Sequence, residues 1–145
     1  MNIFIGADHR GFELKNKIIE YLQAKNIRVE DMGNYEYDPN DDFPDYSKKV
    51  AQAVLQNPDD LLGIVICGSG VGVSVAANRY HGIVCALGFN VEQITSARIH
   101  DHVNILAIPS DHVDFETSKA MIEAFLSAKP NYDEKYLRRL QKLDE

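Results

Sequence analysis

The chain has 145 residues, 45% hydrophobic and 26% charged, a make-up that suits one globular domain with one core. Its 22 acidic residues outnumber 15 basic ones, for a net charge of −7, which argues against nucleic acid or an anionic membrane as partner. No apolar run approaches the roughly 20 residues that span a bilayer, no signal-peptide pattern precedes the first strand, and two cysteines make no disulfide framework. A cytoplasmic protein with reduced thiols is expected.

Ile3-Phe4-Ile5 reads as a first short strand, followed by Gly6-Ala7-Asp8-His9-Arg10-Gly11. Leu14, Ile18, Tyr21 and Leu22 then recur at helical spacing. Ile27 to Asp31 predicts a second strand, and Gly33 to Pro44 a loop rich in Tyr, Asp and Asn. Its acidic part, Glu36 to Asp45, reads as a solvated face. Pro44 suits the first turn of a helix that presents Tyr46, Val50, Ala53 and Val54 to the core. Leu62 to Cys67 predicts a third strand, Ile83 to Leu87 a fourth, and Asn104 to Ile108 a fifth. A helix is expected over about Val91 to His100, another around Met121 to Ala128, and a last one over about 132–144. Strands alternating with helices, without hairpin signals, predict an α/β fold in one domain, 1–145, with a parallel sheet covered on both faces.

Ligands of such sheets sit at the carboxyl ends of the strands. Cys67 ends the third strand and faces Gly68-Ser69-Gly70-Val71-Gly72. Backbone N–H groups at such a turn suit an anion and favour the thiolate form of a neighbouring cysteine. The turn lacks the Lys-Ser/Thr of a P-loop and the distant acid of a dinucleotide site. It also reads simply as a turn that lets a helix pack closely. Cys85, in mid-strand, reads as a small buried hydrophobe. Asp8 reads either as a helix cap or as a site residue. His100-Asp101-His102 suggests a metal site, but residues two apart on a helix do not share a face and a third ligand is missing. No metal is expected there. A hydrogen-bonding or acid role for one histidine fits better.

Taken together, Gly6-Ala7-Asp8-His9-Arg10-Gly11-Phe12-Glu13-Leu14-Lys15, Asp42-Phe43-Pro44-Asp45-Tyr46, Ile66-Cys67-Gly68-Ser69-Gly70-Val71-Gly72, and Ser96-Ala97-Arg98-Ile99-His100 resemble the type B ribose-5-phosphate isomerases and their allose- and galactose-6-phosphate relatives. The resemblance runs along nearly the whole chain. It implies a three-layer Rossmann-like fold with five parallel strands in the order 2-1-3-5-4. It implies a homodimer or homotetramer with shared sites, the last helix reaching a neighbouring subunit, and no metal or cofactor. Carbohydrate metabolism, by the pentose phosphate pathway or a route for a rarer sugar, goes with it.

The implied reaction moves a proton between C2 and C1 of an aldose phosphate through a cis-enediolate. Cys67 matches the base, Ser69 stands where the family usually has Thr, and His100 matches the residue that opens the sugar ring. Asp8 matches a residue that holds sugar hydroxyls and His9 one that lies toward the phosphate. The N–H groups of Gly68, Gly70, Val71 and Gly72 suit the enediolate oxygen. Four departures bear on the substrate. Asp101 replaces the usual Asn, Phe43 a common Tyr, and Asp111 a basic residue near the phosphate. Lys135, Arg138 and Arg139 stand in for a different C-terminal basic set. Ribose 5-phosphate is the expected substrate, with another aldose phosphate or a free aldose as the alternative. A non-catalytic sugar-phosphate-binding protein and a thiol-dependent redox or transferase enzyme are the readings of other classes.

Overall fold

The computed structural model describes residues 2–145. Its elements are β1 (Asn2–Ala7), α1 (Phe12–Ala24), β2 (Arg28–Asp31), α2 (Phe43–Val54), β3 (Leu62–Cys67), α3 (Val71–Ala77), β4 (Cys85–Leu87), α4 (Val91–Asp101), β5 (Ile105–Pro109), α5 (Phe115–Ser127) and α6 (Glu134–Leu143). Every strand pair is parallel, in the expected order β2-β1-β3-β5-β4.

The central strands are continuous apolar runs because helices cover both faces. Side chains alternate between the faces. Leu62, Ile64 and Ile66 of β3 join Ile3, Ile5, Leu106 and Ile108 against Ile18 and Leu22 of α1, Ile94 of α4, and Met121 and Phe125 of α5. Val65 and Cys67 face the other way, against Val50 and Val54 of α2 and Val73 and Ala77 of α3. Burying each of the Val, Leu, Ile, Met and Phe side chains among them contributes about 1.5–3 kcal/mol. This alternation carries Cys67 to the α2–α3 face at the carboxyl end of the sheet.

Pro44 lies in the first turn of α2, as its sequence suggests. Asn90 and Asp114 cap α4 and α5, accepting the N–H of Gln93 and Thr117 at 2.7 Å each. β4 is shorter than its apolar run. Side-chain amides take over its first backbone groups: Val84 N–H donates to Asn104 Oδ1 at 2.9 Å, and Asn78 brackets Cys85 through its N–H (2.8 Å) and C=O (2.9 Å). β2 and β5 each begin one residue later than expected. Helix α6 buries none of its residues, and His100 of α4 stacks on its Tyr136. Among the described residues no helix is long and apolar enough to cross a membrane.

Candidate active site

Cys67 closes β3 in register with Pro109 of β5, and only 5% of it is exposed. The chain beyond it is tied to its neighbours through the backbone. Ser110 N–H donates to Cys67 O and Asp111 N–H to Gly68 O, both at 3.0 Å. Ser110 Oγ lies 2.8 Å from Arg10 O and 3.2 Å from Cys67 O. Gly70 adopts a left-handed backbone (φ 72°), and a Cβ there would overlap Leu87 and approach Pro109 N to 3.1 Å. Only glycine fits this bend, which turns the strand end into α3. A Cβ on Gly72 would meet the Phe43 ring at 3.0 Å. Ser69 Oγ accepts Val71 N–H at 3.2 Å and keeps its own proton to donate.

The loop after β1 forms one wall beside this turn. Asp8 N–H donates to Ile66 O at 3.3 Å. The Asp8 carboxylate is not a helix cap; Gly11 occupies the cap position before α1, which has no side-chain cap. Instead its Oδ1 accepts the N–H of Arg10 (2.9 Å) and Gly11 (3.3 Å) in a tight turn, while Oδ2 accepts from no described residue. Burial pushes Asp8 up, with those two N–H donors partly offsetting it.

The acidic loop departs from its expected solvated character at one residue. Residues 35–40 are exposed, but the Asp41 side chain is turned inward and only 3% open. It accepts His9 N–H at 3.0 Å, meets His9 Nδ1 at 2.7 Å, and accepts Asn34 Nδ2 at 3.2 Å. Burial alone would raise Asp41; the bonds from His9 and Asn34 outweigh it and hold the carboxyl below its usual value. Asp8, His9 and Asp41 thereby offer ligand atoms within 4.8 Å of one another, a cluster that sequence spacing did not suggest. Across the turn, Arg10 pairs with Asp111. Asp111 Oδ2 and Arg10 Nε lie 2.6 and 2.8 Å from the place of a Cβ on Gly68, so the departure at Asp111 is answered by a cation next to it.

A second polar set forms elsewhere. His100 stacks on Tyr136 with ring centroids 5.1 Å apart and 10° between planes. Lys135 Nζ and Arg139 Cζ lie 5.0 and 5.8 Å from the same ring. Arg138 instead turns to Glu134, at 3.3 Å. His100 and the exposed Asp101 end α4, just before β5 enters the sheet at Ile105, level with Gly63. Cys67 is level with Pro109 at the other end of the same strand. The predicted site residues therefore fall into two sets on opposite edges of one sheet. A cavity of about 650 Å³ opens on the amino edge, lined by Arg79, Arg98, His102, Tyr132 and Leu140 among others, and Cys67 has no part in it.

Residues 3–143 match the family described as Ribose/Galactose Isomerase. The chain belongs to that family. The probable ribose-5-phosphate isomerase B of Mycoplasma genitalium is 41% identical over 143 residues, covering 98% of this chain and 93% of that one. Ribose-5-phosphate isomerase B of Mycobacterium tuberculosis is 34% identical over 145 residues, covering 100% and 89%. Among solved structures, the Mycoplasma genitalium enzyme with bound ribulose-5-phosphate superposes with a TM-score of 0.93 at 40% identity, covering 98% of this chain and 93% of that one. The Thermotoga maritima enzyme does so with 0.92 at 43% identity, covering 99% and 97%.

Within that family frame, the carboxyl-edge set offers a thiol, a carboxylate and an imidazole around a turn of backbone N–H groups. Such a set can move a proton on a small polar molecule while an oxygen gathers negative charge. The amino-edge set offers an imidazole beside cations. Sequence reasoning missed Asp41 and Arg10. Arg10 sits inside a motif that was read for its neighbours, and Asp41 lies in a run with no periodicity to single it out.

Proposed function

We propose that this chain is a ribose-5-phosphate isomerase of type B, interconverting ribose 5-phosphate and ribulose 5-phosphate through a cis-enediolate. The observation that carries this reading is its superposition, at 40% identity, on an enzyme holding ribulose-5-phosphate, with Cys67 at a strand end over a glycine turn. The Cys67 thiolate takes the C2 proton and returns it to C1. N–H groups from Gly68 to Gly72 receive the enediolate oxygen, and the Ser69 hydroxyl lies beside them. Asp8 Oδ2 is available to a sugar hydroxyl, and His9 lies toward the phosphate. Both hydrogens and both electrons of the rearrangement stay within the sugar, so the reaction balances without a metal or cofactor.

Ring opening requires proton transfer at the ring oxygen, the role read for His100. His100 lies on the opposite edge of its own subunit from Cys67, so a second copy supplies it. A twofold dimer satisfies this: each subunit presents its carboxyl edge to the amino edge of the other, and makes two equal sites. The apolar residues that stand exposed near the Cys67 turn, Val71 and Val75 of α3 with Phe89 and Val91, suit such a contact. The C-terminal helix brings Lys135 and Arg139 with His100, and Asp101 beside them. We place the enzyme in the cytoplasm, where its thiol stays reduced.

The test is the rate of ketose formation from ribose 5-phosphate, allose 6-phosphate and free ribose, for the unmodified protein and Cys67→Ala. Turnover of ribose 5-phosphate that Cys67→Ala abolishes is the expected result. Turnover of another sugar alone moves the substrate to that sugar and assigns the change to Asp101, Asp111 and Phe43. A sugar phosphate that raises Tm without being converted makes the protein a binding module.

A further inference from the structure

Asp41 is the one member of the acidic loop whose carboxylate is withdrawn from water, and one of its oxygens is bound twice to His9. The same oxygen, Oδ1, takes both the backbone N–H (3.0 Å) and ring Nδ1 (2.7 Å) of His9, while Oδ2 takes the amide of Asn34 (3.2 Å). A carboxylate held ionised is an acceptor only, so Nδ1 must carry the hydrogen. That leaves Nε2 as the one ring nitrogen open to a ligand, on a side chain still 27% exposed. Two residues further on, Phe43 packs over Gly72. One short stretch of loop thus reaches from the His9 ring to the far side of the glycine turn.

We propose that Asp41 is a positioning residue: it fixes the tautomer and the direction of the His9 ring, so that Nε2 is held in place to share a proton with an oxygen at the phosphate end of the substrate. This rests on the ribose-5-phosphate reading for the identity of the ligand, and on the hydrogen bonds alone for the pairing. A ring held through Nδ1 by a carboxylate that also grips the backbone N–H of the same residue loses little rotational freedom when the substrate binds. The contribution therefore appears in binding rather than in the proton transfer at Cys67. The same bonds account for a carboxylate beside a site for an anion: its two oxygens accept from His9 and Asn34.

The experiment compares Asp41→Ala, Asp41→Asn, His9→Ala and the double variant Asp41→Ala/His9→Ala, with Tm measured for each. Asp41→Ala is expected to raise KM for ribose 5-phosphate about tenfold or more, the size of one hydrogen bond to a charged group, with kcat within about twofold. Asp41→Asn keeps an accepting oxygen and recovers part of the loss. In the His9→Ala background, removing Asp41 adds little, because the two act as one unit. An unchanged KM in Asp41→Ala, or equal losses with and without His9, overturns the proposal. If Asp41→Ala does not fold, the nitrogen-15 shifts of His9 in the unmodified protein decide: an Nδ1–H tautomer upholds the pairing and an Nε2–H tautomer overturns it. Those shifts are independent of turnover, so a chain that leaves ribose 5-phosphate unconverted loses the substrate reading while the pairing is still judged.

Discussion

Two inactive variants should restore each other when mixed. From Ile105, level with Gly63, to Pro109, level with Cys67, β5 makes four steps. At about 3.3 Å per step that is about 13 Å, and His100 lies before the strand begins. A proton-transfer group must approach its substrate to about 3 Å. His100 and Cys67 of one chain therefore cannot serve one small sugar. In the proposed twofold dimer each site would take Cys67 from one subunit and His100 from the other. Cys67→Ala and His100→Ala are each expected to lose about a hundredfold or more in activity on ribose 5-phosphate. Mixed in equal amounts and allowed to exchange, half of the dimers are mixed, and each mixed dimer holds one intact site and one doubly damaged site. About a quarter of the unmodified activity per chain should return. Steady-state assay after exchange, with mixed dimers confirmed by native mass spectrometry, reads the result. If mixed dimers form and the activity stays at the level of the parents, the sites are not shared and the two-edge geometry has been misread.

Burial pushes the Cys85 thiol up to about 12, so iodoacetamide near neutral pH should leave Cys85 unlabelled until the chain unfolds; peptide mass spectrometry showing Cys85 modified in the folded protein would contradict this. Lys15 is fully buried, with its ammonium 2.8 and 2.9 Å from the two oxygens of Asp31. Asp31→Ala should cost about 3 kcal/mol in urea unfolding, the low end for a broken buried pair because Asp31 remains 31% exposed. Lys15→Met, which removes the buried charge and keeps the volume, should cost much less, and equal losses would refute the desolvation account. Asp41 is held below its usual value in the folded chain, so its contribution is complete above about pH 5 and is lost as pH falls through that lowered value. Asp8, raised by burial, has the opposite sign: it favours folding at low pH and ceases to do so as pH rises through its raised value. Asp41→Asn should therefore flatten the acid limb of stability against pH, and an unchanged limb would show that the carboxylate gains nothing from its His9 and Asn34 bonds.

The parallel sheet was legible because β1, β3 and β5 are buried on both faces and must be apolar throughout. β4 was overread because hydropathy does not register that Asn78 and Asn104 replace ladder partners with side-chain amides. Cys67 and its turn were legible from local chemistry alone, since a strand end, a thiol and alternating glycines lie within six residues. Asp41 was not, because its partner lies 32 residues away and nothing in an acidic loop marks which carboxylate turns inward. The position of His100 is a different case. In a parallel sheet every residue that directly precedes a strand lies at the amino edge, and every residue that directly follows one lies at the carboxyl edge. His100 precedes β5 and Cys67 ends β3, so their separation was written in the order of the chain. Motif reading gathers both into one site; topology sends them to opposite edges. Both hold at once only if the site is built by two chains, and each chain then has two faces that must meet the complementary face of its partner. A substitution at Val75, which stands exposed on α3 outside the glycine turn, would act on catalysis through that meeting.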